Sequence, residues 1–268
     1  MRTVVRERWL EKKDMQNPPP PHAYSSMVIP WIVPRVPPCI ENWIRAKSQR
    51  RSYKARDVLL NETQPYDRLF FISSGVVAQG VVDASLYTKP LAINLFTGGR
   101  LMGTLNIITA VPSPRKLIAL TDVEVYICSH RLVREELLTD LDLTLALMGY
   151  CELSAKSELI GMEVLFSMEP QKRLEILFSV LLLSDGTVDL NGRICGENRS
   201  TALGETYAKL PYTLPREAMR SVLYLSKSSF DRLLCDWSHS KGFVRDAEGD
   251  MWVDVERLTN ALKWIREH

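Results

Sequence analysis

The residues with the clearest chemical use stand together between positions 214 and 254. Ser226-Lys227-Ser228-Ser229 opens an amphipathic stretch whose apolar side is Phe230, Leu233, Leu234 and Trp237, and Arg232 falls on the opposite side. Ser226 has the type and position of a helix N-cap, so these residues start a helix whose first turn offers backbone N–H groups, hydroxyls and an ammonium. Phosphate is favoured at such a terminus. An arginine further along can present two donors to guanine O6 and N7, and a serine hydroxyl can donate to a phosphate or to a base edge. The chemistry on offer is recognition of a nucleic acid.

Elements on either side suit that use. Pro215 fits the first turn of a preceding helix that runs through Leu223, with Ala218, Met219, Val222 and Leu223 on its apolar side. After the second helix, Phe243-Val244-Arg245, the turn Ala247-Glu248-Gly249-Asp250 and Met251-Trp252-Val253 read as a short hairpin, or wing. Over residues 207 to 245 the bases Lys209, Arg216, Arg220, Lys227, Arg232, Lys241 and Arg245 face only Glu217, Asp231 and Asp236. Lys227 or Arg232 alone would read as a solvated helix charge. Helix, tight turn, polar helix start and hairpin in that order make the pair a candidate for double-stranded DNA.

The chain behind this region has 268 residues, 46% hydrophobic and 25% charged, enough for two modest domains with their own cores. Its formal net charge is only +2, so a nucleic-acid surface has to come from local clustering. Leu138, Leu141, Leu145, Met148, Ala155, Leu159, Met162 and Phe166 keep a 3-4 heptad spacing interrupted only by Glu152. The spacing predicts a helix over 131–166 with a dimer seam, its anchors Leu138, Leu141, Leu145, Met148, Leu159 and Met162; packing on its own domain is the plainer alternative. At Ser167-Met168-Glu169-Pro170 the pattern breaks, and Leu174, Leu177, Phe178, Leu181 and Leu182 form a second amphipathic helix ending near Asp185-Gly186. That break marks the expected domain boundary.

Upstream, short β-prone segments at Arg68 to Ser73, Val76 to Val82, Leu91 to Phe96, Lys116 to Leu120 and Val123 to Cys128 alternate with turns at Ser74-Gly75, Gly98-Gly99 and Pro112 to Pro114. An antiparallel barrel or jelly roll is implied. Residues 1–38 carry so many prolines that they read as an extended or disordered arm, and Met15 or Met27 could serve as a later start. The expected layout is thus α+β: arm 1–38, jelly roll 39–130, dimerisation helix 131–166 and winged helix-turn-helix 167–268.

Other chemistry is disfavoured. Cys39, Cys128, Cys151, Cys195 and Cys235 form no C-x-x-C pair and no zinc spacing, and each reads as a small buried hydrophobe in a reducing cytoplasm. His22, His130, His239 and His268 sit in no nucleophile, metal or phosphate-loop motif, so catalysis is not expected. Gly98, Gly99 and Gly103 lack the G-x-G-x-x-G spacing. No apolar run approaches the roughly 20 residues of a membrane helix, and no membrane or cofactor is expected.

From Pro215-Arg216-Glu217 to Ser226-Lys227-Ser228-Ser229-Phe230-Asp231-Arg232-Leu233-Leu234 the chain resembles, without a gap, the helix-turn-helix of the Crp/Fnr superfamily of bacterial transcription regulators. Asp57-Val58-Leu59-Leu60, Arg68 to Gly75 and Leu95 to Gly103 are similar to the strands and glycine turns of its cyclic-nucleotide-binding jelly roll. The resemblance implies a cytoplasmic, homodimeric, sequence-specific DNA-binding regulator with RNA polymerase as a candidate partner. It implies phosphate anchoring by Arg216 and Ser226 and base readout by Lys227, Ser228 and Arg232, with Ser229 in the same DNA-binding set. Two departures stand out. Tyr224 replaces a frequent turn glycine, and the nucleotide cassette has Thr104 for the ribose-binding Glu and Pro112-Ser113-Pro114-Arg115-Lys116 for the Arg-Ser pair. Dependence on cyclic AMP is therefore not expected. The alternative is a winged-helix module for protein contacts that has lost DNA binding.

Overall fold

The computed structural model describes residues 28–61, 67–81, 91–104, 107–109, 115–200 and 203–268. Helix α1 (Pro38–Lys47) precedes eight strands: β1 (Gln49–Tyr53), β2 (Val58–Leu60), β3 (Arg68–Ser74), β4 (Val77–Val81), β5 (Leu91–Phe96), β6 (Arg100–Met102), β7 (Arg115–Ala119) and β8 (Val123–Ser129). They pair antiparallel into two four-stranded sheets, β1-β8-β3-β6 and β2-β7-β4-β5. Alternation decides which side chains meet between the sheets. Phe70 and Ile72 of β3 join Val77, Phe96, Met102, Leu117 and Val125 in the sandwich interior. Leu69 and Phe71 point the other way, onto Ile40 and Ile44 of α1 and onto Leu143, Leu147 and Tyr150 of the long helix. The five expected strands lie within about a residue of their predicted positions. Gly103 keeps its glycine turn for a steric reason: at φ +92° a Cβ there would lie 2.3 Å from the carbonyl oxygen of Arg68.

The single helix expected over 131–166 is two helices, α2 (His130–Leu137) and α3 (Leu141–Ser167). Asp140 causes the break, because its carboxylate accepts the Leu143 N–H at 2.9 Å and caps a new helix instead of continuing the old one. Leu138 consequently caps α2 and lies outside the long helix. Of the other anchors, Leu141, Leu145, Met148, Leu159 and Met162 all project from α3 into solvent, 44 to 64% exposed, followed by Phe166. Their own domain packs on the opposite face, through Leu143, Ala146, Leu147, Tyr150, Ser154, Ser157, Gly161 and Val164. The Tyr150 hydroxyl fastens that face by accepting the Leu101 N–H and donating to the Leu101 carbonyl, both at 2.9 Å.

After α3 come α4 (Pro170–Ser184), β9 (Tyr207–Lys209), α5 (Arg216–Val222), α6 (Lys227–His239), β10 (Phe243–Arg245), β11 (Met251–Asp254), a 3-10 turn (Val255–Leu258) and α7 (Thr259–Glu267). Pro170 occupies the first turn of α4, and Gly186 follows its C-cap at positive φ. Strands β10-β11-β9 form a third sheet.

Two expectations need correction. The described part of the arm, residues 28–37, is extended as its prolines require but is not loose, since Ile29, Trp31, Ile32 and Val33 are at most 2% exposed. Four apolar residues between prolines gain too much by burial to stay in water. Nor are the cysteines uniformly buried. Cys128 is buried and Cys151 half-buried, whereas Cys39, Cys195 and Cys235 are exposed.

Candidate nucleic-acid interface

The two helices are set by their caps. Helix α5 closes at Leu223, where the Leu225 N–H reaches the Arg220 carbonyl at 3.1 Å and the Tyr224 N–H reaches that of Ser221 at 3.2 Å. That pair of bonds is a Schellman closure, which needs a left-handed residue between the helices. Tyr224 supplies it at φ +53°. The departure from glycine therefore leaves the turn intact and places the strain in its backbone. Arg220 donates to the Leu225 carbonyl at 2.9 Å, and Arg173 of α4 donates to that of Leu223 at 3.2 Å, so both sides of the turn are tied down. Phe230, Leu234 and Trp237 hold α6 in the core, with Trp237 5.4 Å from the Phe178 ring.

On the outer side Ser226 is the N-cap of α6, accepting the Ser229 N–H at 3.2 Å. Its hydroxyl also lies 2.8 Å from that of Ser229 and 3.2 Å from that of Ser228. Ser226, Lys227, Ser228 and Arg232 are exposed and Ser229 is half-buried. Ser228 and Arg232, four residues apart, share one face. Arg216 stands differently: its guanidinium is 2.9 Å from the Asp231 carboxylate and bridges α5 to α6. Lys209 pairs with Asp250 and Arg220 with Glu217. Of the seven local bases, Lys227, Arg232, Lys241 and Arg245 remain without an ion pair among the described residues. These four, at the start, the middle and the end of α6 and on the hairpin, are the charges available to phosphate.

The hairpin pairs Phe243 with Val253, Val244 with Trp252 and Arg245 with Met251. Its tip is acidic, which the sequence count over 207 to 245 left out. Asp246 accepts the Trp252 indole N–H at 2.7 Å, and this bond, with backbone N–H groups of the turn, holds its carboxyl below the ordinary range. Cys235 and His239, which the sequence places in no metal or catalytic motif, are further residues of the exposed α6 surface; Cys235 Sγ lies 3.3 Å from His239 Nδ1. Their i, i+4 spacing was the available signal.

Residues 50–140 match the family model of the cyclic nucleotide-binding domain. FixK2 from Bradyrhizobium japonicum superposes with a TM-score of 0.61 at 14% identity, covering 80% of this chain and 96% of that one. A transcriptional regulator of the CRP/FNR family from Thermus thermophilus gives 0.56 at 16% identity, over 80% and 98%. The chain has the fold of the Crp/Fnr regulators. The c-di-GMP responsive global regulator CLP of Xanthomonas campestris shares that fold, with a TM-score of 0.60 at 16% identity over 80% and 97%. No curated protein sequence matches this chain.

Among the described residues the sandwich of this Crp/Fnr-like fold encloses little space. The cavity between the sheets and α3, lined among others by Gln79, Thr104, Arg115, Ser154 and Glu158, holds about 50 Å³. Small-molecule pockets are roughly 300–1,000 Å³, several times larger. Arg115 lies 3.6 Å from the Glu158 carboxylate of α3, and Asn94 donates to the same carboxylate at 2.7 Å. A ligand phosphate would have to displace it. Pro112, Ser113 and Pro114 lie outside the described residues.

Proposed function

We propose that the chain is a sequence-specific DNA-binding transcription regulator that acts as a cytoplasmic homodimer without cyclic AMP. In this reading residues 167–268 are a winged helix-turn-helix, α6 enters the major groove and the exposed stripe of α3 is the dimer seam. RNA polymerase is then a candidate partner. The observation that carries the reading is the selective pairing of charge: Arg216, Arg220 and Lys209 are neutralised within the unit, whereas Lys227 and Arg232 stand free on the exposed side of α6 beside three serine hydroxyls. Lys227 stands in the first turn of α6, where the helix dipole disfavours a cation and an approaching anion would offset it.

The test is a titration on a selected site and on scrambled DNA at several salt concentrations. Arg232→Ala should lose about 1 to 3 kcal/mol on the selected site only, because a bidentate donor pair to one base is removed. Arg245→Ala, at an unpaired charge on the hairpin, should weaken both DNAs about equally and reduce the salt slope by about 1 per phosphate contact. Equal loss on both DNAs for Arg232→Ala would make it a phosphate contact. No change for either variant would remove this surface as the DNA-binding one.

A further inference from the structure

Residues 28–36 touch three bodies that otherwise have separate work. Toward the sandwich, Ile32 bridges Leu95, the Leu95 N–H donates to the Trp31 carbonyl at 2.7 Å and the Val36 N–H donates to that of Gly99 at 2.8 Å. Val33 packs inside the sandwich with Phe96 and Met102 and lines the small cavity there. Toward α3, the single Ser157 hydroxyl proton is shared between the carbonyls of Ile29 and Ile32 at 2.5 and 3.0 Å, and Trp31 lies against Gly161 so closely that a Cβ would come within 2.7 Å of the indole. Toward the C-terminal unit, Ile29, Val33 and Arg35 line one pocket with Leu183, Ser184 and Asp185 at the end of α4, and Ile29, Trp31 and Ile32 belong to the apolar cluster that continues into that unit.

Arg100 completes the junction. Its buried guanidinium donates to the Val33 carbonyl at 2.7 Å and to the Ser184 carbonyl at the end of α4 at 3.1 Å, and it also holds Thr97 and Gly98. Burial pushes its pKa down to about 10, still charged at neutral pH, with carbonyl dipoles in place of a carboxylate. Arg35 adds an ion pair to Asp185 at 3.6 Å. The strap is held under strain: Trp31 has φ +60°, the Ile32 N–H reaches back to the Pro30 carbonyl at 2.8 Å, and the buried indole N–H has no acceptor among the described residues. Such a conformation persists only where its surroundings over-determine it.

We propose that residues 28–36 are the sandwich's own attached ligand, a strap that fills the sandwich with Val33 and fixes the C-terminal unit against the long helix in place of a soluble effector. A ligand that bridges two bodies selects one arrangement of them, and a tethered one does so at high effective concentration. The strap's control of the DNA-reading helices rests on the reading above; its mechanical role does not.

Two substitutions in the full chain test it. Trp31→Ala removes the wedge, and Gly161→Ala improves the helix intrinsically while pushing Trp31 out, so a loss from Gly161→Ala reports the strap and not α3. Calorimetry should show one transition for the wild type and two separated ones for the variants. Hydrogen exchange should speed up at least tenfold at Leu95 and over Leu177–Ser184, while Phe70 to Ile72 stay protected. A single transition in every protein, with faster exchange confined to residues 28–36, overturns the proposal. If Trp31→Ala does not fold, Gly161→Ala decides by the same readout. Where the wild type binds DNA, affinity should fall at least tenfold in both variants, and unchanged affinity refutes control of the reading helices. A wild type that binds no DNA refutes the DNA reading and leaves the calorimetric and exchange results to judge the strap.

Discussion

Replacing Leu145 and Met148 together with glutamate separates the two faces of α3. Leu145 is 58% and Met148 64% exposed, so neither contributes much to the core of its own chain. Full burial of such a side chain is worth about 1.5–3 kcal/mol, which leaves about 1–2 kcal/mol for each to gain at an interface. In a two-fold pair four side chains are involved, so the loss is about 4–7 kcal/mol before the cost of desolvating the new carboxylates. At about 1.4 kcal/mol per decade the dimer constant should weaken at least several hundredfold. Sedimentation equilibrium should show a monomer, and that monomer should still unfold in urea in one cooperative transition. Leu147→Glu, 7% exposed on the inner face, should instead prevent folding. A wild type that is monomeric at micromolar concentration with and without DNA would refute the seam, as would a double variant that still dimerises.

Tyr224→Gly should be more stable than Tyr224→Ala by about 1 kcal/mol, because both lose the ring but only glycine is at ease in the left-handed turn; equal melting of the two would put the strain elsewhere. His130 is buried with Nε2 2.8 Å from the Gly103 carbonyl, and desolvation, the largest influence, holds its pKa below the ordinary value of 6.5. The unfolded chain therefore takes up the proton first, so this contribution is complete above about pH 6.5 and is lost as pH falls from there toward the depressed folded value. Urea titrations at pH 7.5 and 5.5 should show a drop that His130→Gln reduces, and an equal drop in the variant would assign it to other groups. Calorimetry with cyclic AMP should show no saturable binding below about millimolar, since the cavity is far smaller than the roughly 300 Å³ of an ordinary pocket; a micromolar constant would show that the Arg115–Glu158 pair opens.

The sandwich strands were legible because alternation and turn residues act locally, and the α6 surface because capping and amphipathicity also act locally. What the sequence hid depends on contact at a distance. The break at Asp140 came from a side chain outcompeting helix continuation, which heptad counting ignores. The inner face of α3 escaped notice because Ser154, Ser157 and Gly161 carry no hydrophobic signal; they are small so that other chain can come close, which is visible only once Trp31 lies against Gly161. The pairing of Arg216 with Asp231 was equally unreadable, since both count as free charges in a composition of the region.

The same distinction explains where local rules are broken. Tyr224 and Lys241 both sit at positive φ after a helix, where glycine would be the easy choice, and each completes a 6→1 bond, from Leu225 to Arg220 and from Gly242 to Trp237. Those two turns flank α6, and side chains from outside it brace them: Arg173 at Leu223 and the Tyr207 hydroxyl donating to the Lys241 carbonyl at 2.7 Å. Of the two other such residues, Arg56 lies in the exposed turn between β1 and β2, whereas Trp31 lies where the sandwich, α3 and the C-terminal unit converge. A strained backbone survives where tertiary contacts outweigh it, and at Tyr224, Lys241 and Trp31 those contacts come from neighbouring elements. Two of these residues set the direction of α6 within its unit. The third sets that unit on the long helix, and so the spacing of two α6 helices across a dimer would depend on all three.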